Sequence, residues 1–251
     1  MPDGVRPAGH PPAAEHSADP PALTVLAVTG IGAIHPGDDL AGVLADAAPL
    51  ADGDVLVVTQ KVVSKAEGRL VPLDHGDTVG RRRLVESQSV RVLRRRGDLL
   101  ITETRHGFVC ANAGVDLSNV DEGFATLLPE DADRSARRIR DVIVARRRID
   151  VAVVVSDTFG RTWRRGVTDV AIGCAGIAAV VDLRGTADAL GQPLLATEVC
   201  VADEIAGAAE LVMGKATGIP AAIVRGVPCQ WLRRGSVTDE VVRPPAEDLF
   251  R

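Results

Sequence analysis

Asp157 and Thr158 close a valine run and open onto a cluster of arginines. That juxtaposition is the first chemical signal in the chain. Residues 151–166 read VAVVVSDTFGRTWRRG. The first five are apolar, four of them Val, which is the pattern of a short buried strand rather than an amphipathic helix. The run stops at Ser156, so a rigid element delivers a carboxylate and two hydroxyls to a glycine-containing loop bearing Arg161, Arg164 and Arg165. A carboxylate can hold a divalent cation, and guanidinium groups can hold phosphate or carboxylate oxygens. Phosphoryl chemistry uses both. A strand end followed by a merely solvated basic loop is the competing reading at this point. Phe159 and Trp163 fall in the same stretch, to line a pocket or to pack the loop down.

Two further segments carry groups of the same kind. Lys61 and Lys65 are four apart and share a face if the segment is helical. With Ser64 between them they suit a phosphate cradle, against the alternative of a solvated basic face. Asp116, followed by Ser118 and Asn119, stands just beyond an apolar run. There it is either a metal ligand or an Asx-turn residue. Two aspartates from separate strands could hold hard divalent cations, which prefer oxygen ligands. HExxH, GxSxG and clustered histidines are all missing, which disfavours zinc hydrolysis and triad chemistry. The glycines after the first strand, in Thr29-Gly30-Ile31-Gly32-Ala33-Ile34, permit close backbone approach to a ligand. No GKS or GKT follows them, so they are not a P-loop, and the full GxGxxG is also lacking.

The chain as a whole narrows the partners. Its 251 residues carry 29 basic and 34 acidic groups, a formal charge of −5, which gives no general pull toward nucleic acid or anionic membrane. Aromatics make up only 2% and Tyr is absent, so the core must be Val, Leu, Ile and Ala. Cys110, Cys174, Cys200 and Cys229 lie far apart, without CxxC, and sit among apolar or small neighbours as buried free thiols do. Neither a secretory leader nor a run of membrane-spanning length is visible, and a cytoplasmic protein is expected.

These groups need elements to position them. Residues 1–21, rich in Pro, Ala and His, are expected to be a disordered tail, and residues 22–251 one domain. Strands are expected at 23–28, 55–59, 169–174, 177–183 and 221–224, with a hairpin from 99–104 and 107–110. Helices are expected at 40–48, 78–96, about 129–148 and about 200–213. Asp203 and Glu204 stand in the first turn of the last of these, where the helix dipole favours acids, and a structural role is preferred for them. Strands and helices alternate irregularly, which indicates mixed α/β or α+β architecture.

At these residues the sequence resembles the coenzyme F420:L-glutamate ligases. The matching pieces are Pro36-Gly37-Asp38-Asp39-Leu40, Val62-Val63-Ser64-Lys65-Ala66-Glu67-Gly68-Arg69, Gly114-Val115-Asp116 with Ser118-Asn119-Val120, and Ser156-Asp157-Thr158-Phe159-Gly160-Arg161. Thr197-Glu198-Val199, Ala202-Asp203-Glu204 and the closing RPPAEDLFR match as well, in the same order across nearly everything after the tail.

The resemblance implies a non-P-loop α/β fold particular to the family and an intertwined homodimer. It implies a GTP-dependent ligase that joins L-glutamate to the lactyl carboxylate of coenzyme F420-0 and then, by γ-linkage, to F420-1. An acyl phosphate would be the intermediate, with GDP and phosphate released. Carried over by motif, Asp116, Asp157 and Thr158 would bind divalent metal (Mg or Mn), with potassium a further candidate cofactor. Ile31, Gly32, Ala33, Ile34, Gln60, Lys65 and Asn119 would hold GTP, and Lys65, Asp116 and Asp157 would be catalytic. Relatives commonly place a proline and a larger polar residue where this chain has Ile-Gly-Ala-Ile. Some relatives carry a C-terminal flavin-binding, nitroreductase-like domain; none follows here, so FMN is not expected. Beyond the carry-over, Arg161, Arg164 and Arg165 are candidates for substrate phosphodiester or carboxylate groups, and Glu198 for a further metal ligand. The alternative enzyme is a metal-dependent phosphohydrolase using the same aspartates on a nucleotide or phosphoester.

Overall fold

The computed structural model describes residues 22–118 and 120–248. The expected tail at 1–21 and Asn119 lie outside the described residues. In chain order the elements are β1 (Thr24–Val28), α1 (Leu40–Ala47), β2 (Val55–Thr59), α2 (Gln60–Ala66), β3 (Leu70–Pro72), α3 (Thr78–Ser87), β4 (Ser89–Arg96), β5 (Leu99–Thr104) and β6 (Val109–Ala111). There follow β7 (Phe124–Thr126), α4 (Ala132–Arg147), β8 (Ala152–Gly160), β9 (Val167–Ala175), β10 (Val181–Asp182), β11 (Glu198–Val199), α5 (Val201–Met213), β12 (Ala221–Arg225) and α6 (Val237–Glu240). The result is the mixed α/β architecture expected from the alternation.

The central sheet runs β1-β12-β2-β8-β9. Only β2 and β8 pair in parallel, with Val55 opposite Ala152 and Thr59 opposite Ser156. Residues 55–58 of β2 and 152–155 of β8 are buried and apolar throughout because both faces of the sheet are covered. Leu56, Val58, Val153 and Val155 face α1 and α4, where Leu44, Ile139 and Ile143 complete one core. Val55, Val57, Ala152 and Val154 face α5, where Ile205, Ala206, Ala209 and Met213 complete the other. The period-two alternation of strand side chains thus builds three layers from one continuous valine run. A smaller apolar cluster, including Leu73, Val85, Leu100, Val115 and Leu127, underlies α3 and the outlying strands β3 to β7.

Three expectations are corrected. The helix expected over 78–96 ends at Ser87, and Ser89–Arg96 is a strand paired with β5 across the turn at Gly97. The alternation Val90-Arg91-Val92 and the pairing partner across a two-residue turn outweigh the arginine-rich helical pattern. The strand expected over 177–183 shrinks to β10, which pairs only with β11. Conversely, β8 does not stop at Ser156: it continues to Gly160 and pairs with β9, so Asp157 and Thr158 are strand residues. Among the cysteines, Cys229 is exposed in the turn after Pro228, unlike the buried Cys110 and Cys174. Among the described residues no helix is long and apolar enough to cross a membrane.

Candidate active site

The parallel pairing of β2 with β8 brings Thr59-Gln60 and Ser156-Asp157 to the same carboxyl-end edge of the sheet. In open α/β sheets ligands bind outside that edge. A cavity of about 690 Å³ lies there. Ile31, Gly32, Ala33 and Ile34 form part of its wall, Gln60 and Lys65 another, and Asp157 and Thr158 a third. These sequence-predicted residues are therefore brought together. Asp116 reaches the same place through its partners, since Lys61 and Ser118 both line the cavity. Lys61 Nζ stands 2.9 Å from Asp116 Oδ2 and donates to Ser118 Oγ at 2.7 Å.

Local structure explains these positions. α2 begins directly at the end of β2, so Lys61 in its first turn and Lys65, four residues on in its last, both line the cavity at the sheet edge. Ser64 faces inward instead: it is fully buried and donates to the Leu127 carbonyl at 2.7 Å. Buried Gln60 does the same through Nε2, at 3.0 Å, while also meeting Ser64. Both side chains therefore brace α2 against the segment after β7. In β8 a register shift between Val155 and Ser156 re-aims the strand at the site, as bulges do. Opposite it, Asp169 of β9 is 2% exposed and accepts from Ser156 Oγ at 2.9 Å and from Thr158 Oγ1 at 2.6 Å.

Asp169, Glu210 and Lys215 were not picked out as site residues from the sequence. All three line the cavity. Lys215 Nζ donates to Asp169 Oδ1 at 2.8 Å and also to Thr158, and it pairs with Glu210 at 3.1 Å. A usable signal was present. The chain has only three lysines, Lys61, Lys65 and Lys215, and the cavity takes all of them. Lys215 sits between Gly214 and Gly218, both at positive φ, in the loop leaving α5.

The electrostatics separate the two predicted aspartates. Burial pushes the Asp157 carboxyl up, and although the Thr158 backbone N–H opposes this, the Asp116 and Asp169 carboxylates add to it, leaving it at about 7. Burial also works against ionised Asp116, but hydrogen bonds from Lys61 and Ser118 win and hold it below the usual carboxylate range. Burial would lower the Lys215 ammonium, yet Asp169 and Glu210 hold it above its ordinary value. A carboxyl group whose proton affinity is raised by neighbouring carboxylates marks a place where a cation is favoured. The oxygen donors Asp116, Asp157, Thr158 and Asp169 suit a hard divalent cation by type. Among the described residues no three His, Cys, Asp or Glu side chains converge as a ready-made cluster, and Lys61 and Lys215 supply the compensating charge.

Other expected residues are placed elsewhere. Arg161, Arg164 and Arg165 lie in the exposed turn joining β8 to β9, outside the cavity wall. Trp163 in that turn is 89% exposed, so it neither lines the pocket nor packs the loop. Phe159 packs edge-on against Phe108. Glu198 belongs to the small β10–β11 ribbon, where it meets Arg184 at 3.3 Å. Asp203 and Glu204 stand in the first turn of α5 as expected, and Asp203 further accepts a hydrogen bond from the Ala171 N–H at 2.9 Å.

Comparison with known proteins agrees on one family. The sequence model described as F420-0:Gamma-glutamyl ligase matches residues 30–226. A protein of Methanothermobacter thermautotrophicus named coenzyme F420:L-glutamate ligase is 41% identical over 249 residues, covering 91% of this chain and 99% of its own. Proteins of the same name from Methanopyrus kandleri and Archaeoglobus fulgidus are 43% and 39% identical. They cover 87% and 91% of this chain and 93% and 96% of their own.

Proposed function

The chain belongs to the F420-0:gamma-glutamyl ligase family, and on that premise we propose that it is a GTP-dependent ligase joining L-glutamate to coenzyme F420-0 and then, through a γ-linkage, to F420-1. The observation that supports this reading is the cavity at the carboxyl ends of β2 and β8. It gathers Ile31, Gly32, Ala33, Ile34, Gln60 and Lys65 on one side and Asp157 and Thr158 on the other, under all three lysines of the chain. The relatives named above are ligases, which favours ligation over the hydrolase reading.

A carboxylate is a poor acyl donor, and moving the γ-phosphoryl group of GTP onto it gives an acyl phosphate that an amine can attack, with release of GDP and phosphate. The backbone of residues 31–34 approaches the nucleotide closely because Gly32 leaves open space beside it. Lys65 forms no ion pair among the described residues, so its ammonium is available to the transferring group, where a compact point charge offsets developing negative charge. Lys61 keeps Asp116 ionised, and Lys215 pairs with Asp169 at 2.8 Å. Asp116, Asp157 and Thr158 would hold the divalent cation, Mg or Mn, whose contribution is to neutralise and align the phosphoryl oxygens. Asn119, which follows Ser118 in the sequence, would contact the nucleotide. The working form would be a homodimer.

Purified protein with GTP, Mn or Mg, L-glutamate and the unglutamylated coenzyme, read by mass spectrometry, tests the reading. Product masses should rise by glutamate units. GTP breakdown without any glutamate addition under every metal condition would reject the ligase.

A further inference from the structure

A second cavity, of about 310 Å³, lies outside the site just described and is walled by Arg69, Arg105, His106 and Glu130 with Gln88 and Thr104. The segment at Leu127 and Leu128 stands between the two. The Leu127 carbonyl receives Gln60 and Ser64 of the main site, whereas the Leu128 carbonyl receives Arg69 Nε at 3.1 Å.

Its wall has opposite charges in a defined arrangement. Arg69 meets Glu130 at 3.3 Å, and Arg105 is anchored to the Ser87 carbonyl at 3.0 Å. His106 Nδ1 is buried and has no hydrogen-bond partner among the described residues. Burial holds the imidazole below its ordinary value, the carbonyls of Pro129 and Glu130 pull against that, and Arg69 and Arg105 add to the lowering. The ring is therefore neutral near neutral pH. In a neutral imidazole either nitrogen can carry the proton, and with it on Nε2 the unpartnered Nδ1 lone pair needs a donor. An unsatisfied buried polar atom in a cavity wall is costly unless a ligand completes it. The backbone beside it is strained: Asn112, Ala113 and Gly114 take successive left-handed φ values of 51, 54 and 70°. Ala113 lines this cavity, and Asp116 of the main site follows within three residues. Strain of this kind gathers at ligand sites.

We propose that this second cavity binds an acidic α-amino acid, with the Arg69 and Arg105 guanidiniums taking its carboxylates and the Glu130 carboxylate and the His106 Nδ1 lone pair taking its ammonium group. The chemistry of the wall requires a zwitterion with excess negative charge. That the natural occupant is L-glutamate rests on the ligase reading.

The test is calorimetric titration of the full chain with L-glutamate and no nucleotide, so that binding is read independently of ligation. L-Glutamate should bind, and glutarate, which lacks the amine, should bind at least about tenfold more weakly. Arg105→Gln and Glu130→Gln change exposed side chains and should each weaken L-glutamate about tenfold or more, with far-UV circular dichroism unchanged. Lys65→Ala, in the main cavity, should leave this binding as it was. The proposal is overturned by undetectable L-glutamate binding at millimolar concentration, by equal affinity for glutarate, by wild-type affinity in both folded variants, or by loss in Lys65→Ala. The ligase reading stands or falls separately, on the mass of the coenzyme product.

Discussion

Lys61 holds Asp116 ionised at the edge of the cavity, with Nζ 2.9 Å from Oδ2, while Asp157 nearby is driven toward neutrality. Two carboxyl groups of one site are thereby pushed in opposite directions, an arrangement that assigns them different work. Lys61 pulls both values down. In Lys61→Met the burial acting on Asp116 is unopposed by that ammonium and its carboxyl rises, as does that of Asp157. The acidic limb of the pH–rate profile for glutamate ligation should then move up by about one pH unit. Lys65→Met should lower the rate at every pH without moving the limb. A Lys61→Met limb superimposed on the wild-type limb would rule out this coupling.

Asp157 makes the metal-free protein less stable as pH rises. Its folded value, about 7, lies above the ordinary carboxyl value of about 3.9. Between the two the native state binds more protons than the unfolded state, so stability falls through that interval and the full penalty is present above it. Asp157→Asn removes the penalty. Its melting temperature in chelator-treated buffer should exceed that of wild type at about pH 8 and converge with it near about pH 4. Added Mn should raise the wild-type melting temperature at about pH 8 more than that of Asp157→Asn, since the variant has lost a candidate ligand. A wild type at least as stable as the variant throughout would contradict the assignment.

How far the sequence revealed this site depends on which residues are considered. The valine run, Lys65, Asp116 and Asp157 were visible because strand ends expose short-range patterns, whereas the carboxyl edge shared by β2 and β8 comes from their parallel pairing, which the two apolar runs do not dictate. Asp169 and Lys215 were not visible. Asp169 becomes a site residue only through its hydrogen bonds to Ser156 and Thr158 across the β8–β9 hairpin, and Lys215 only because α5 returns its loop to the sheet edge. Such pairing is long-range and leaves no periodicity. The helix wrongly expected through Arg96 failed for the same reason: β4 is a strand because β5 pairs with it. The scarcity of lysine was the one compositional feature able to link Lys215 to Lys61 and Lys65.

Asp133 should be the main acid-sensitive clamp away from the site. Its buried carboxylate accepts from the backbone N–H groups of Cys174, Val237 and Thr238 and from the hydroxyls of Ser236 and Thr238, tying β9 and α6 to the start of α4. Burial would raise its pKa, but those N–H groups prevail and lower it. A depressed carboxyl contributes stability that is present above the ordinary carboxyl value and is lost as pH falls through the folded one. Asp133→Asn keeps the shape but loses the charge and faces some donors with its own amide. It should cost on the order of 3 kcal/mol near neutral pH, roughly 6–12 °C in melting temperature, with the gap to wild type narrowing in acid. A gap that is constant from neutral pH to about pH 3 would show that the charge is not what holds the clamp.

Gly173 controls how closely β9, and with it Asp169, is held to α4. A Cβ there would stand 2.2 Å from the Ala132 carbonyl carbon and 2.6 Å from the Asp133 nitrogen. Both are backbone atoms at a helix start whose cap and clamp are already fixed, so neither can yield cheaply. Gly160, at the far end of β8, is a matched control: it is also a strand glycine, but a Cβ there has nothing within 4 Å. Gly173→Ala should destabilise by about 2–3 kcal/mol, the range for overpacking against rigid neighbours, whereas Gly160→Ala should stay within about 0.5 kcal/mol of wild type. Because the displaced strand carries the carboxylate that binds Ser156, Thr158 and Lys215, the folded fraction of Gly173→Ala should also show a lower kcat for ligation per active molecule. A variant that is destabilised yet unchanged in kcat would mean that the site tolerates movement of β9. Equal stability of Gly173→Ala and Gly160→Ala in denaturant titration would remove the close contact as the reason for glycine at this position.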